Sequence, residues 1–108
     1  MFNQNFSIMK VNVHAVNFNI DKKLIDFIDE RVGKLEKFYD RIVSADVFLK
    51  VEQTSEKENK IVELKLIVPG DEFIVKKTCK TFEEGVDLSI EAQERLLVKR
   101  KEKLRAHA

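Results

Sequence analysis

A chain of 108 residues that is 44% hydrophobic and 36% charged, with only three Gly and one Pro, fits one small folded domain and is too apolar to stay disordered. No apolar run is long enough to span a bilayer, the start lacks the pattern of a secretion signal, and the single Cys has no partner in the chain, so a cytoplasmic setting is expected. Twenty Lys and Arg against nineteen Asp and Glu leave a net charge of +1, which excludes a polycation that coats nucleic acid by charge excess alone.

Residues 1–8 read as a short N-terminal extension, and Met9 is itself a possible start. Residues 9–15 alternate apolar and polar, the period of a half-buried strand, with Met9, Val11, Val13 and Ala15 inward. Asp21 then offers a helix cap, and Leu24, Ile25, Ile28, Val32, Leu35 and Tyr39 follow mostly at spacings of three and four. This predicts one helix over residues 22–39, with Gly33 tolerated inside it at about 1 kcal/mol. Three strands come next. Ala45, Val47, Leu49 and Val51 alternate with Asp46, Phe48, Lys50 and Glu52, and after a polar turn over residues 53–59 Val62, Leu64, Leu66 and Val68 alternate with Ile61, Glu63, Lys65 and Ile67. Pro69-Gly70-Asp71 is a hairpin signal, because Pro presets φ and Gly supplies positive φ. The fourth strand, residues 72–80, turns Phe73, Val75 and Cys79 inward, with Ile74 blurring the register. Thr81 and Glu84 form a capping box that starts a second helix at Phe82. Its stripe is Phe82, Val86, Ile90, Leu97 and Leu104, carried through Gln93, to about residue 104.

The order β-α-β-β-β-α implies an α+β fold: a two-layer sandwich of a four-stranded mixed sheet with both helices on one face, forming a single domain over residues 9–105. The helix between the first two strands makes them a parallel pair, and strands two to four form an antiparallel meander.

Candidates for chemistry are few. His14 and Cys79 are the best thiol–imidazole pair, and the predicted registers put them on opposite faces of the sheet. One Cys and two distant His give no metal-ligand spacing, and Gly33, Gly70 and Gly85 are too isolated to form a phosphate loop. The chain is therefore not expected to be an enzyme, and no cofactor, metal, membrane or small-molecule substrate is expected.

Charge distribution is more informative than its sum. On the first helix Lys23, Arg31, Lys34, Lys37 and Arg41 lie to one side of the apolar stripe; Asp26, Asp29, Glu36 and Asp40 lie to the other. Same-helix pairs such as Lys22–Asp26, Glu30–Lys34 and Lys37–Asp40 are the plainer reading of that pattern. The second helix carries Glu83, Glu84, Asp87, Glu91 and Glu94 early, then Arg95, Lys99, Arg100, Lys101, Lys103 and Arg105. The helix dipole accounts for only the last turn of that basic segment, which is about three turns long. Arg95, Lys99 and Lys103 share one i, i+4 line. Two adjacent basic ridges predict a single positive groove that grips phosphates of folded RNA, since residues suited to reading base edges are scarce there. Phe48, Ile61, Ile67 and Ile74 on the outer sheet face offer a second surface, for a protein partner.

The segment Arg31-Val32-Gly33-Lys34-Leu35-Glu36-Lys37-Phe38 resembles the R-x-x-K-L-E-K-aromatic stretch on the first helix of ribosome hibernation-promoting factors, also known as protein Y or sigma-54 modulation proteins. Glu94-Arg95-Leu96-Leu97-Val98-Lys99 is similar to the E-R-Q-L-x-K run on that family's second helix, and the resemblance covers residues 9–105. It implies binding in the small-subunit channel that messenger and transfer RNA use, blocking translation in starved cells. By position, Arg31, Lys34, Lys37, Arg95 and Lys99 would contact ribosomal RNA, with Lys101 and Lys103 extending the set. Ala92, Gln93 and Glu83 depart from the family pattern. The extra C-terminal dimerisation domain of the long form is absent from this sequence, so a short-form, monomeric protein is expected. The alternative is a protein-interaction module that regulates a transcription factor.

Overall fold

The computed structural model describes residues 9–39 and 41–106. The expected extension over residues 1–8, together with Asp40 and His107, lies outside the described residues. Four strands form one sheet in the order β1 (Lys10–Val16), β2 (Ser44–Val51), β3 (Lys60–Val68) and β4 (Asp71–Cys79). β1 and β2 are parallel, and the other two pairings are antiparallel. The alternation fixes which side of each strand is buried. Val13, Val47, Leu64 and Val75 fall in one cross-strand row of the inner face, and Val11, Ala45, Leu66 and Phe73 in the next. Ile74, which blurs the pattern in the sequence, is 51% exposed on the opposite face.

Two of the chain reversals around the sheet are made by residues suited to them. β3 and β4 are joined through Pro69 and Gly70, with Gly70 at φ +80°, the value that position i+2 of a type II turn requires. After β1 the chain reverses at Asn17, φ +62°, a left-handed conformation that Asn tolerates. Phe18 can then stack on Phe82, centroids 5.2 Å apart.

Above the sheet lie α1 (Lys22–Gly33), α2 (Leu35–Phe38) and α3 (Phe82–Ala106). Asp21 caps α1 by accepting from Leu24 N at 2.9 Å, and Thr81 Oγ1 accepts from Glu84 N at 3.1 Å to start α3. The single helix expected over 22–39 is in fact broken at Lys34. There Lys34 N bonds to Arg31 O and Lys37 N to Lys34 O, both three residues back, the tighter 3₁₀ pattern. Gly33 has no Cβ to favour the helix, and the tighter turn aims Leu35 and Tyr39 into the core beneath. Ile28, Val32, Leu35, Leu64, Leu66 and Leu97 are fully buried between the layers, each side chain contributing roughly 1.5–3 kcal/mol by leaving water. Leu104 is the exception to the expected stripe. It is 52% exposed, because α3 continues beyond the residues that could cover it.

α3 lies so close to β3 that Gly85 has no room for a side chain: a Cβ there would meet Val62 Cγ2 at 2.6 Å. In an open helix, Gly85→Ala would stabilise by about 1 kcal/mol. Here the sign is reversed, and urea unfolding is expected to show a loss of about 1–3 kcal/mol from overpacking. Combining it with Val62→Ala should recover part of that loss.

Candidate nucleic-acid interface

α1 and α3 lie side by side and run in the same direction, since Arg31 meets Asp87 while Phe38, seven residues on, meets Lys101. Positions seven apart stay within about 20° on a helix, so Asp87, Glu94 and Lys101 form the wall that α3 turns towards α1. That wall is acidic at its start and basic at its end. Arg31 Nη1 forms an ion pair with Asp87 Oδ1 at 2.9 Å, and its guanidinium lies 4.5 Å from the centre of the Phe27 ring. Both partners are about half-exposed.

The expected single seam is thereby corrected. Arg95, Lys99 and Lys103 lie on the other flank of α3, away from α1. Lys99 and Lys103 border a depression between α3 and the edge strand β4, together with Phe73, Leu96, Arg100 and Asp71. A second cluster forms where α2 leads towards β2: Lys37, Arg41 and Lys101 surround Phe38 and Tyr39. Lys101 Nζ is 3.4 Å from Phe38 O and 5.9 Å from the Phe38 ring centre. Lys37 and Arg41 are exposed and form no ion pair among the described residues. Lys34 is exposed at the helix break, and Arg95 one turn before Lys99. Lys23 is exposed in the first turn of α1, about 16 Å along the helix from Lys34 at 1.5 Å per residue. Of the same-helix pairs that spacing allows, Lys22–Asp26 closes at 2.9 Å, whereas Glu30 and Lys34 form none among the described residues.

Between the two basic clusters stands a residue the sequence reading did not single out. Arg100 donates to Tyr39 Oη at 3.3 Å, to Asp71 Oδ2 at 3.1 Å and to Pro69 O at 2.8 Å. It ties the end of α3 to the β3–β4 hairpin and to the loop after α2. Its spacing carried the signal: three residues after Leu97 and seven after Gln93, it falls on the buried stripe, where it is half-buried while Lys99, Lys101 and Lys103 are exposed. A second polar tie is Gln93, fully buried, whose amide donates to Leu64 O at 2.8 Å and Phe73 O at 3.0 Å.

His14 and Cys79 lie on opposite faces of the sheet, as their registers require. His14 is exposed beside Asp46, while Cys79 is buried under α3. Burial pushes the Cys79 thiol up, with Glu84 and Glu58 adding to the shift against Lys77, so the thiol stays protonated at neutral pH. Among the described residues no group of three or more His, Cys, Asp or Glu is placed to hold a metal ion, and no helix is long and apolar enough to cross a membrane.

Residues 11–105 match a family model described as Sigma 54 modulation protein / S30EA ribosomal protein. A ribosome hibernation promoting factor from Klebsiella oxytoca is 31% identical over 99 residues, covering 92% of this chain and all of the relative. One from Azotobacter vinelandii is 30% identical over 95 residues, covering 88% and 85% of the two chains. In fold, the chain is similar to a ribosomal subunit interface protein from Coxiella burnetii, with TM-score 0.75 and 19% identity over 86% of this chain and 98% of that one. It is also similar to the Protein Y N-terminal domain of Thermus thermophilus, with TM-score 0.68 and 18% identity over 82% and 94%.

Proposed function

The chain belongs to the Sigma 54 modulation protein / S30EA ribosomal protein family, and from that premise we propose that it is a ribosome-associated hibernation factor acting by occupancy, with no bond made or broken. Its target in this reading is ribosomal RNA of the small subunit, in the channel that messenger and transfer RNA use, so that a bound ribosome cannot translate. The relatives at 30% and 31% identity carry the hibernation name, which supports the general role. The observation that carries the RNA reading is the basic end of the helical layer: Lys37, Arg41 and Lys101 on one side of Tyr39 and Arg100, Lys99 and Lys103 on the other. Ammonium and guanidinium groups at that spacing, without a surplus of base-reading side chains, suit a folded phosphate backbone. Lys23, Lys34 and Arg95 are outlying contacts in this reading, and Arg31 is a held one.

Ultracentrifugation of purified small subunits with the full chain, across a salt series, tests the proposal. Co-sedimentation at low salt and release at high salt are expected, because counterion release makes phosphate binding steeply salt-dependent. Failure to co-sediment at any salt, or binding that ignores salt, would overturn it.

Arg31 gives a sharper check. Its guanidinium is held by Asp87, so a phosphate must compete with a carboxylate already at 2.9 Å. Asp87→Asn removes that competitor while leaving Phe27 beneath the guanidinium. The slope of log affinity against log salt should steepen by about one unit as Arg31 joins the contact.

A further inference from the structure

We propose that the solvent-facing side of the sheet seats one unpaired nucleotide of single-stranded RNA, with its base on Phe48 and its phosphates at Lys50 and Lys76. This face lies across the sheet from the helices, so the proposal goes beyond the helical interface and does not depend on it.

The register decides first what the face is not. Its apolar residues Val16, Phe48, Ile61, Ile67 and Ile74 never stand directly opposite one another. Phe48 falls between His14 and Glu63, and Ile61 between Lys50 and Thr78. Val16, Phe48 and Ile61 meet only in one small recess, and the rest of the surface is interleaved with charge, whereas a protein partner needs a broad apolar core.

What it does offer is one braced ring beside a small recess. His14 stacks on Phe48 with centroids 4.7 Å apart and planes 15° from parallel. His14 Nε2 is 3.4 Å from Asp46 Oδ1, which also accepts from Asn12 at 3.1 Å. The pair is therefore fixed, and Asp46 is engaged within it. The recess beside Phe48 is bounded by Val16 and Ile61, with Lys50, Glu63 and Lys76 at its rim, and His14 is not among its walls. His14 thus stacks on the ring from one side, and Phe48 also lines the recess. Lys50 and Lys76 form no ion pair among the described residues.

A flat apolar platform, two ammonium groups and one carboxylate acceptor are used together by a ligand with a planar ring, anionic links and an exocyclic amine. An RNA nucleotide has all three. It must be unpaired, because a base within a duplex is already stacked on its neighbours and cannot lie on a sheet.

The test is amide chemical-shift mapping of the full chain, titrated with an oligocytidine octamer and, separately, with an RNA duplex of equal length. The single strand is expected to move Phe48, Lys50, Ile61 and Lys76, and the duplex to leave them. Phe48→Ala should weaken the single strand at least about fivefold, the lower end for loss of one base–aromatic stack. Lys50→Glu, at an exposed site that does not threaten the fold, should weaken it in the same direction. Lys99→Glu should leave the sheet-face shifts intact, which separates this surface from the helical one. The proposal is overturned if these residues do not move, if the duplex moves them equally, or if the shifts survive Lys50→Glu. It is also overturned if a cross-linker at position 50 captures a ribosomal protein and no RNA in small-subunit complexes.

Discussion

Reversing Lys37 and Lys101 together, as Lys37→Glu with Lys101→Glu, is expected to weaken the proposed association with the small ribosomal subunit about a hundredfold or more. The two lysines and Arg41 border one hollow around Phe38 and Tyr39, so the change leaves one cation facing two carboxylates there. A unit charge about 4 Å from a phosphate is worth about 1 kcal/mol even at the dielectric of water, and reversal turns each attraction into a repulsion of similar size. Both side chains are exposed, so the unfolding midpoint should scarcely change. The neutral pair Lys37→Gln with Lys101→Gln should lose less affinity and flatten the salt dependence by about two units. Sedimentation with purified subunits at two salt concentrations measures both quantities. Undiminished binding by the double reversal would remove this cluster from the interface.

The largest effect on folding is expected from Gln93→Glu. Gln93 is fully exposed to neither solvent nor counter-charge: its amide lies within the core and gives its protons to the carbonyls of Leu64 and Phe73. An ionised carboxylate has no proton to give and would face two carbonyl oxygens in a fully buried site. Desolvation and those oxygens both favour the protonated acid, so the folded-state pKa of the substituted carboxyl rises above the ordinary value of about 4.3. Its sign follows. The variant is most stable below the unfolded pKa and loses stability as pH rises through the raised folded value. At neutral pH the cost should be about 3–5 kcal/mol, a large share of a typical domain's total. Urea unfolding at acidic and neutral pH, beside Gln93→Leu as a pH-flat control, reads this directly. A stability difference from the native chain that does not change with pH would show that the amide protons are not what the site needs.

Much of the sheet was legible from residue order because its period is unambiguous. Val62, Leu64, Leu66 and Val68 alternate with polar and partly exposed neighbours, and only one register buries them. The hairpin at Pro69 and Gly70 was equally plain. The first helix was harder: one glycine costs too little to predict a break, and the break at Lys34 is settled by Leu35 and Tyr39 seeking the core. For the interface, residue identities were readable and their neighbours were not. The apolar stripe fixes how α3 is rotated on the sheet, but either flank of that stripe could have faced α1. The flank with Arg95, Lys99 and Lys103 looked the better match to a basic ridge, whereas packing presents Asp87, Glu94 and Lys101 instead. Gln93 was recognised as part of the stripe, though its hydrogen bonds depend on two strands meeting beneath it.

Arg100 spends its own charge inside the molecule, on Tyr39, Asp71 and Pro69. That tie anchors α3 one residue from Lys99 and Lys101, so in the proposed complex these two lysines start from a fixed point on the sheet. In that complex an anchored helix should lose less conformational entropy on capture, leaving long-range attraction to set the encounter. For such a complex, added salt should slow the on-rate far more than it speeds escape.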